Sequence, residues 1–121
     1  MTTPDLTQNY LKLNQAVSDC AREARHPVAM LAVTKTWPAS TVRACAALGQ
    51  RAFGENYVQE AVSKIDELDE LGLQWHFIGP LQSNKCQAVA ERFAWVQTID
   101  REKIVALLSK YRPASLPPLN V

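Results

Sequence analysis

The apolar segment that begins at Val28 stops at Thr34-Lys35-Thr36 and is followed by a Trp37-Pro38 turn. A lysine leaving the end of a buried strand is a candidate nucleophile. Its stem starts in apolar surroundings, and low polarity disfavours the ammonium form and lowers the pKa. A free lysine, with a reference pKa of about 10.4, is neutral in roughly one molecule in 2,500 at pH 7. Desolvation raises that fraction, and a neutral amine can attack an aldehyde to form a Schiff base. The alternative for Lys35 is a lysine that snorkels to water at a strand end.

Other polar residues fall where a ligand could meet them. Asn56 either offers hydrogen bonds at the same rim or caps the helix beginning at Tyr57. His76, set between Trp75 and Phe77, is either a neutral core histidine or a ligand-facing one. Gln82, Ser83, Asn84 and Lys85 form a polar helix start that caps a helix or holds an anion. Glu55 and Asp100 are carboxylates whose separation the sequence leaves unset, so no acid/base role follows for them.

The elements that must position these residues alternate along the chain. Leu6, Tyr10, Leu13, Val17, Cys20 and Ala24 recur at helical spacing, with Thr3 as a cap and Pro4 in the first turn. Val28 to Thr34 reads as a strand covered on both faces. Pro38 opens a second helix with Val42, Cys45 and Ala46 inward, stopped at Gly49. Residues 51–54 form a second strand, and Val58, Ala61, Val62, Ile65, Leu68 and Leu71 mark one long helix ending at Gly72. Residues 75–78 form a third strand, followed by a helix from about Ser83 to Arg92. Phe93 to Ile99 reads as a fourth strand, with Asp100 as cap of a helix that Pro113 ends. Residues 117–121 look like the start of a fifth strand.

This rhythm implies parallel β/α units, because parallel strands need a crossover that returns the chain to the same end of the sheet. An open doubly wound sheet and part of an eight-stranded barrel both fit. The missing G-x-G-x-x-G after the first strand disfavours the former. A complete barrel takes roughly 200 residues or more, so the 121 residues are expected to be the N-terminal part of one barrel domain in a longer protein. In either architecture, ligands gather at the carboxyl ends of the strands, where Lys35, Asn56, Gly79 and Thr98 fall.

Composition narrows the function classes. A net charge of +1, from 13 basic and 12 acidic residues, provides no field for nucleic acid or an anionic membrane. Cys20, Cys45 and Cys86 lie far apart without a C-x-x-C pair, and are expected to be buried reduced thiols. With two histidines, a metal cluster is not expected. No apolar stretch approaches the ~20 residues of a membrane span, and the first residues lack a signal core. A cytoplasmic location is the expectation.

Four motifs, LAVTKTWPAS, FGENYVQE, WHFIGPLQSNK and TIDREKI, in this order and spacing, closely resemble the N-terminal half of the pyridoxal phosphate homeostasis protein family, also described as proline synthase co-transcribed homologues. The resemblance covers essentially the whole chain. It implies half of a TIM (β/α)8 barrel of the alanine racemase N-terminal-domain type, with pyridoxal 5′-phosphate held as a Schiff base on Lys35. It further implies that Asn56 and His76 line the cofactor ring and that the function is non-enzymatic intracellular vitamin B6 homeostasis. The family's phosphate-binding loops and the arginine facing the pyridine nitrogen lie in its second half, so this chain alone is expected to bind pyridoxal phosphate weakly or not at all. The alternative is a racemase-type enzyme, which needs a second acid/base group; Tyr57 is nearest in sequence but is expected to be packed. Half a barrel exposes two sheet edges, so the chain is also expected to self-associate or to lie beside its missing half.

Overall fold

The computed structural model describes residues 3–121, with side chains from Pro4 onward. The expected cap by the Thr3 side chain lies outside the described residues. The elements are α1 (Thr3–Ala24), β1 (Ala32–Val33), α2 (Ala39–Ala47), β2 (Ala52–Glu55), α3 (Val58–Glu67), β3 (Gln74–Phe77), α4 (Cys86–Arg92), β4 (Trp95–Val96) and α5 (Glu102–Tyr111). Single 3-10 turns, Asp69–Leu71 and Ser83–Lys85, follow α3 and precede α4. The expected continuous helices to Gly72 and from Ser83 are therefore each interrupted.

The four strands pair in parallel and in sequential order, β1-β2-β3-β4. A doubly wound sheet reverses its order at a switch point, whereas a barrel adds each strand beside the last. The sequential order is that of a barrel segment. Right-handed crossovers then put the helices on one face. Phe53, Trp75, Phe77 and Val96 are buried there among Val42, Ala61, Ile65, Leu68, Val89, Ile104 and Leu108. Rings interlock across this layer, Phe53 with Trp75 at 5.7 Å and Phe77 edge-on to Phe93 at 5.5 Å.

The first strand is not covered on both faces as expected. Val33 is 49% exposed and Val28 is exposed as well. Only Ala32 and Val33 ladder with β2, and β1 stands at the edge of the sheet. The fourth strand likewise shrinks to two residues. Phe93 ends α4 inside the core instead of extending the strand, and Asn120 pairs with Trp95 as the beginning of a fifth parallel strand.

Gly49 follows α2 as the expected stop, at φ 108°, whereas Gly72, at φ 62°, ends the 3-10 turn rather than α3 itself. One capping and one burial expectation fail. Arg101, not Asp100, is the N-cap of α5, and Asp100 accepts a hydrogen bond from Arg101 at 2.9 Å instead. Cys20 is exposed, in contrast to the buried Cys45 and Cys86. Its helix, α1, is anchored toward its N-terminal half by the Tyr10 hydroxyl, which donates to Gln50 at 2.9 Å. Beyond that anchor most of the stripe, Leu13 included, remains exposed.

Candidate functional site

Strand register orders the polar residues. Val33, Gly54, His76 and Trp95 form one row across the sheet. Paired residues project to the same face, here the face away from the helices. Two residues further along each strand, toward the carboxyl ends, come Lys35, Asn56, Ile78 and Gln97. The fold thus brings Lys35 and Asn56 to one rim, with His76 one row deeper.

Lys35 is exposed in the turn after β1, where Trp37 N–H donates to Thr34 O at 3.0 Å. Its neighbour Thr36 has φ 68°, a left-handed conformation that a β-branched residue adopts only under constraint. Asn56 does not cap the following helix. The N-cap of α3 is Tyr57, without a side-chain cap, and the buried Asn56 Oδ1 has no hydrogen-bond partner. Tyr57, expected to be packed, is 53% exposed.

Gly79 explains how Asn56 is held. A Cβ on Gly79 would stand 2.4 Å from Asn56 Cβ and 2.7 Å from its carbonyl oxygen. No side chain fits there without moving the Asn56 backbone. Gly79→Ala is expected to cost about 1–3 kcal/mol of stability as an overpacked contact, measured by urea denaturation. A midpoint equal to that of the parent chain would show that Asn56 is not fixed in this way.

His76 is buried and fully engaged. Its Nε2 pairs with Gln74 Oε1 at 3.1 Å, and its Nδ1 with Gln97 Nε2 at 2.9 Å. An amide NH2 on one nitrogen and an amide oxygen at the other suit the neutral ring with the proton on Nε2. The ring stacks on Trp95, 5.4 Å between centroids and 3° from parallel. Burial holds its pKa below the ordinary histidine value. The unfolded chain therefore binds a proton more readily than the folded one. Stability from His76 is present above its unfolded pKa of about 6.5 and is lost as pH falls through the lower folded value. Thermal melts are expected to fall between about pH 7.5 and 5.5, and to fall less in His76→Gln; equal slopes would contradict this.

On the helix side of the same strand ends lies an ionic cluster of Glu55, Glu60 and Lys64. Glu55 is 0% exposed, and Lys64 Nζ reaches its two carboxylate oxygens at 3.0 and 3.1 Å. The same ammonium donates to Thr34 O at 2.8 Å and pairs with Glu60 Oε1 at 2.8 Å. The Thr34 hydroxyl donates to Glu55, and Thr36 N–H donates to Glu60 Oε1 at 2.7 Å. The hydrogen bond from Lys64 is the main cause that holds the Glu60 carboxyl below the usual range; burial opposes it, and the hydrogen bond from Thr36 N–H adds a lesser lowering. One signal was available in the sequence. Lys64 occupies an inward position between Ala61 and Ile65, where a lysine needs a buried partner. Glu55 and Asp100 do not act as a pair, since each has its own cation. The polar run Gln82–Lys85 opens only a 3-10 turn and gives no side-chain cap. Among the described residues, no group of three or more His, Cys, Asp or Glu could hold a metal ion, and no helix is long and apolar enough to cross a membrane.

No family model matches the chain. It is 52% identical over 119 residues to a pyridoxal phosphate homeostasis protein of Pseudomonas aeruginosa, covering 96% of this chain and 52% of that protein. It is 52% identical over 120 residues to the protein of that description from Escherichia coli K12, covering 97% and 51%. The chain thus spans about half the length of the curated relatives it matches. Among solved structures it resembles PipY of Synechococcus elongatus PCC7942 with PLP bound, at TM-score 0.66 and 40% identity over 76% of this chain and 45% of PipY. A second similar structure, an unknown protein from Bifidobacterium adolescentis, gives TM-score 0.80 and 25% identity over 89% of this chain and 49% of that one.

Proposed function

We propose that this chain, which over the length it covers belongs to the pyridoxal phosphate homeostasis protein family, is the first part of a barrel that binds pyridoxal 5′-phosphate and serves vitamin B6 homeostasis. The observation that carries the reading is a primary amine and an unsatisfied amide oxygen on one rim. Lys35 is exposed at the end of β1, and Asn56 Oδ1 is buried without a donor. A buried oxygen left unpaired costs free energy that a ligand hydroxyl can recover. Pyridoxal phosphate carries an aldehyde, which condenses reversibly with a primary amine, and a ring hydroxyl, which can donate to an amide oxygen. The residues therefore fit the group. The solved PipY structure with PLP bound supports cofactor binding as the function.

In this reading Lys35 is the covalent handle, Asn56 orients the ring through Oδ1, and Gly79 leaves the room in which Asn56 sits. His76 supports the rim from the row below, held neutral by its two glutamine partners. In this reading the protein holds and releases the cofactor. A racemase needs a second acid/base group across the ring; Glu55, Glu60 and Lys64 are committed to one another, which leaves the exposed Tyr57 as the candidate for that alternative.

The test is borohydride reduction of the chain in the presence of pyridoxal phosphate. Hydride fixes the adduct irreversibly, so even weak occupancy accumulates. A phosphopyridoxyl group on the peptide carrying Lys35 is expected. Labelling spread evenly over the exposed lysines would refute the assignment, and amino-acid racemisation that disappears in Lys35→Ala would replace the carrier reading with an enzyme.

A further inference from the structure

We propose that Glu60 and Lys64 of α3 are positioning residues for Lys35, gripping the peptide groups on either side of it so that its amine stands at the strand ends. The inference rests on the reading of Lys35 as the cofactor lysine. The contacts fall on both flanks of that residue. Lys64 Nζ donates to Thr34 O, the carbonyl of the preceding peptide, at 2.8 Å. Glu60 Oε1 accepts from Thr36 N–H, the amide that follows Lys35, at 2.7 Å. The two side chains are one helical turn apart and bond to each other at 2.8 Å, so they form a single clamp. Glu55 anchors it from β2 through Lys64.

The turn needs such a constraint. Thr36 sits at φ 68°, and a free turn would let a β-branched residue relax out of that region. A charged acceptor on its N–H opposes the relaxation, because hydrogen bonds to ionised groups are the stronger kind. Lys35 itself makes no part of the clamp, and its amine is left for chemistry.

The experiment separates positioning from folding and from the function itself. Pyridoxal phosphate and borohydride are applied to the chain, and peptide mass mapping gives labelling at Lys35 relative to the exposed Lys12, Lys103 and Lys110. In Glu60→Ala this ratio is expected to fall roughly ten- to hundredfold, the scale of losses on misplacing a reactive group. Glu60 is 32% exposed, so the substitution leaves the core in place, which circular dichroism checks. Glu60→Gln keeps an oxygen that accepts from Thr36 N–H and is expected to restore most of the ratio; a purely structural effect of lost charge would leave it low. An unchanged ratio in folded Glu60→Ala overturns the positioning role while Lys35 stands as the cofactor lysine. Absence of preferential Lys35 labelling in the parent chain overturns both.

Discussion

Replacing Lys35 with arginine or alanine will abolish site-specific trapping of pyridoxal phosphate, the largest functional effect expected of any single change in this chain. Condensation of an amine with the aldehyde releases water, and borohydride then delivers hydride to the carbon of the C=N bond, leaving a secondary amine. Arginine keeps the positive charge at the turn but has no primary amine, so it isolates the covalent step from electrostatic attraction of the phosphate. Because Lys35 is exposed and lies outside the core, both variants are expected to melt within about 0.5 kcal/mol of the parent chain. Retention of the adduct on another lysine near the rim in Lys35→Arg would show that the covalent handle has been misassigned.

The largest effect on stability is expected at Lys64. Lys64→Met leaves Glu55, fully buried, without its cation, and breaking a buried pair from one side costs about 3–5 kcal/mol. That is a substantial part of the ~5–15 kcal/mol that holds a domain together, and corresponds to a fall of roughly 10–20 °C in melting temperature. The paired change Glu55→Leu with Lys64→Met removes both charges and is expected to recover much of the loss, since apolar replacements of buried pairs are often neutral or stabilising. Thr34 O keeps its turn hydrogen bond from Trp37 N–H in that variant. A double variant no more stable than Lys64→Met alone would locate the cost in lost packing rather than in the stranded carboxylate. Lys64 thus belongs both to the clamp and to the buried pair, so Glu60 is the position that reports on the clamp without stranding Glu55.

The core faces were legible wherever local periodicity decided them. Val42, Cys45 and Ala46 of α2, and Ala61, Ile65 and Leu68 on and just after α3, are buried as their spacing requires. The periodicity of α1 was as clear, yet most of its stripe stays exposed beyond Leu6 and Tyr10. A stripe states which residues could share a face and not how much surface is available to cover it. β1 was misjudged for a related reason. An unbroken apolar run marks a strand built for cover on both faces, but cover on each face depends on residues far away in sequence.

The alternation of parallel β/α units, the glycine stop at Gly49 and the address of Lys35 at the end of the first strand were all readable from the residues alone. These follow from local sterics, from hydrophobic period and from motif identity, all of which act over a few residues. It took the packed fold to leave Asn56 Oδ1 unsatisfied while Gly79 presses against its backbone, and to lock His76 between Gln74 and Gln97. The same packing brings Glu60 and Lys64 back to the peptides around Lys35. Those contacts join residues from two to 30 positions apart, and the longer of them depend on strand register and helix placement. Neither is encoded by any short stretch of the chain.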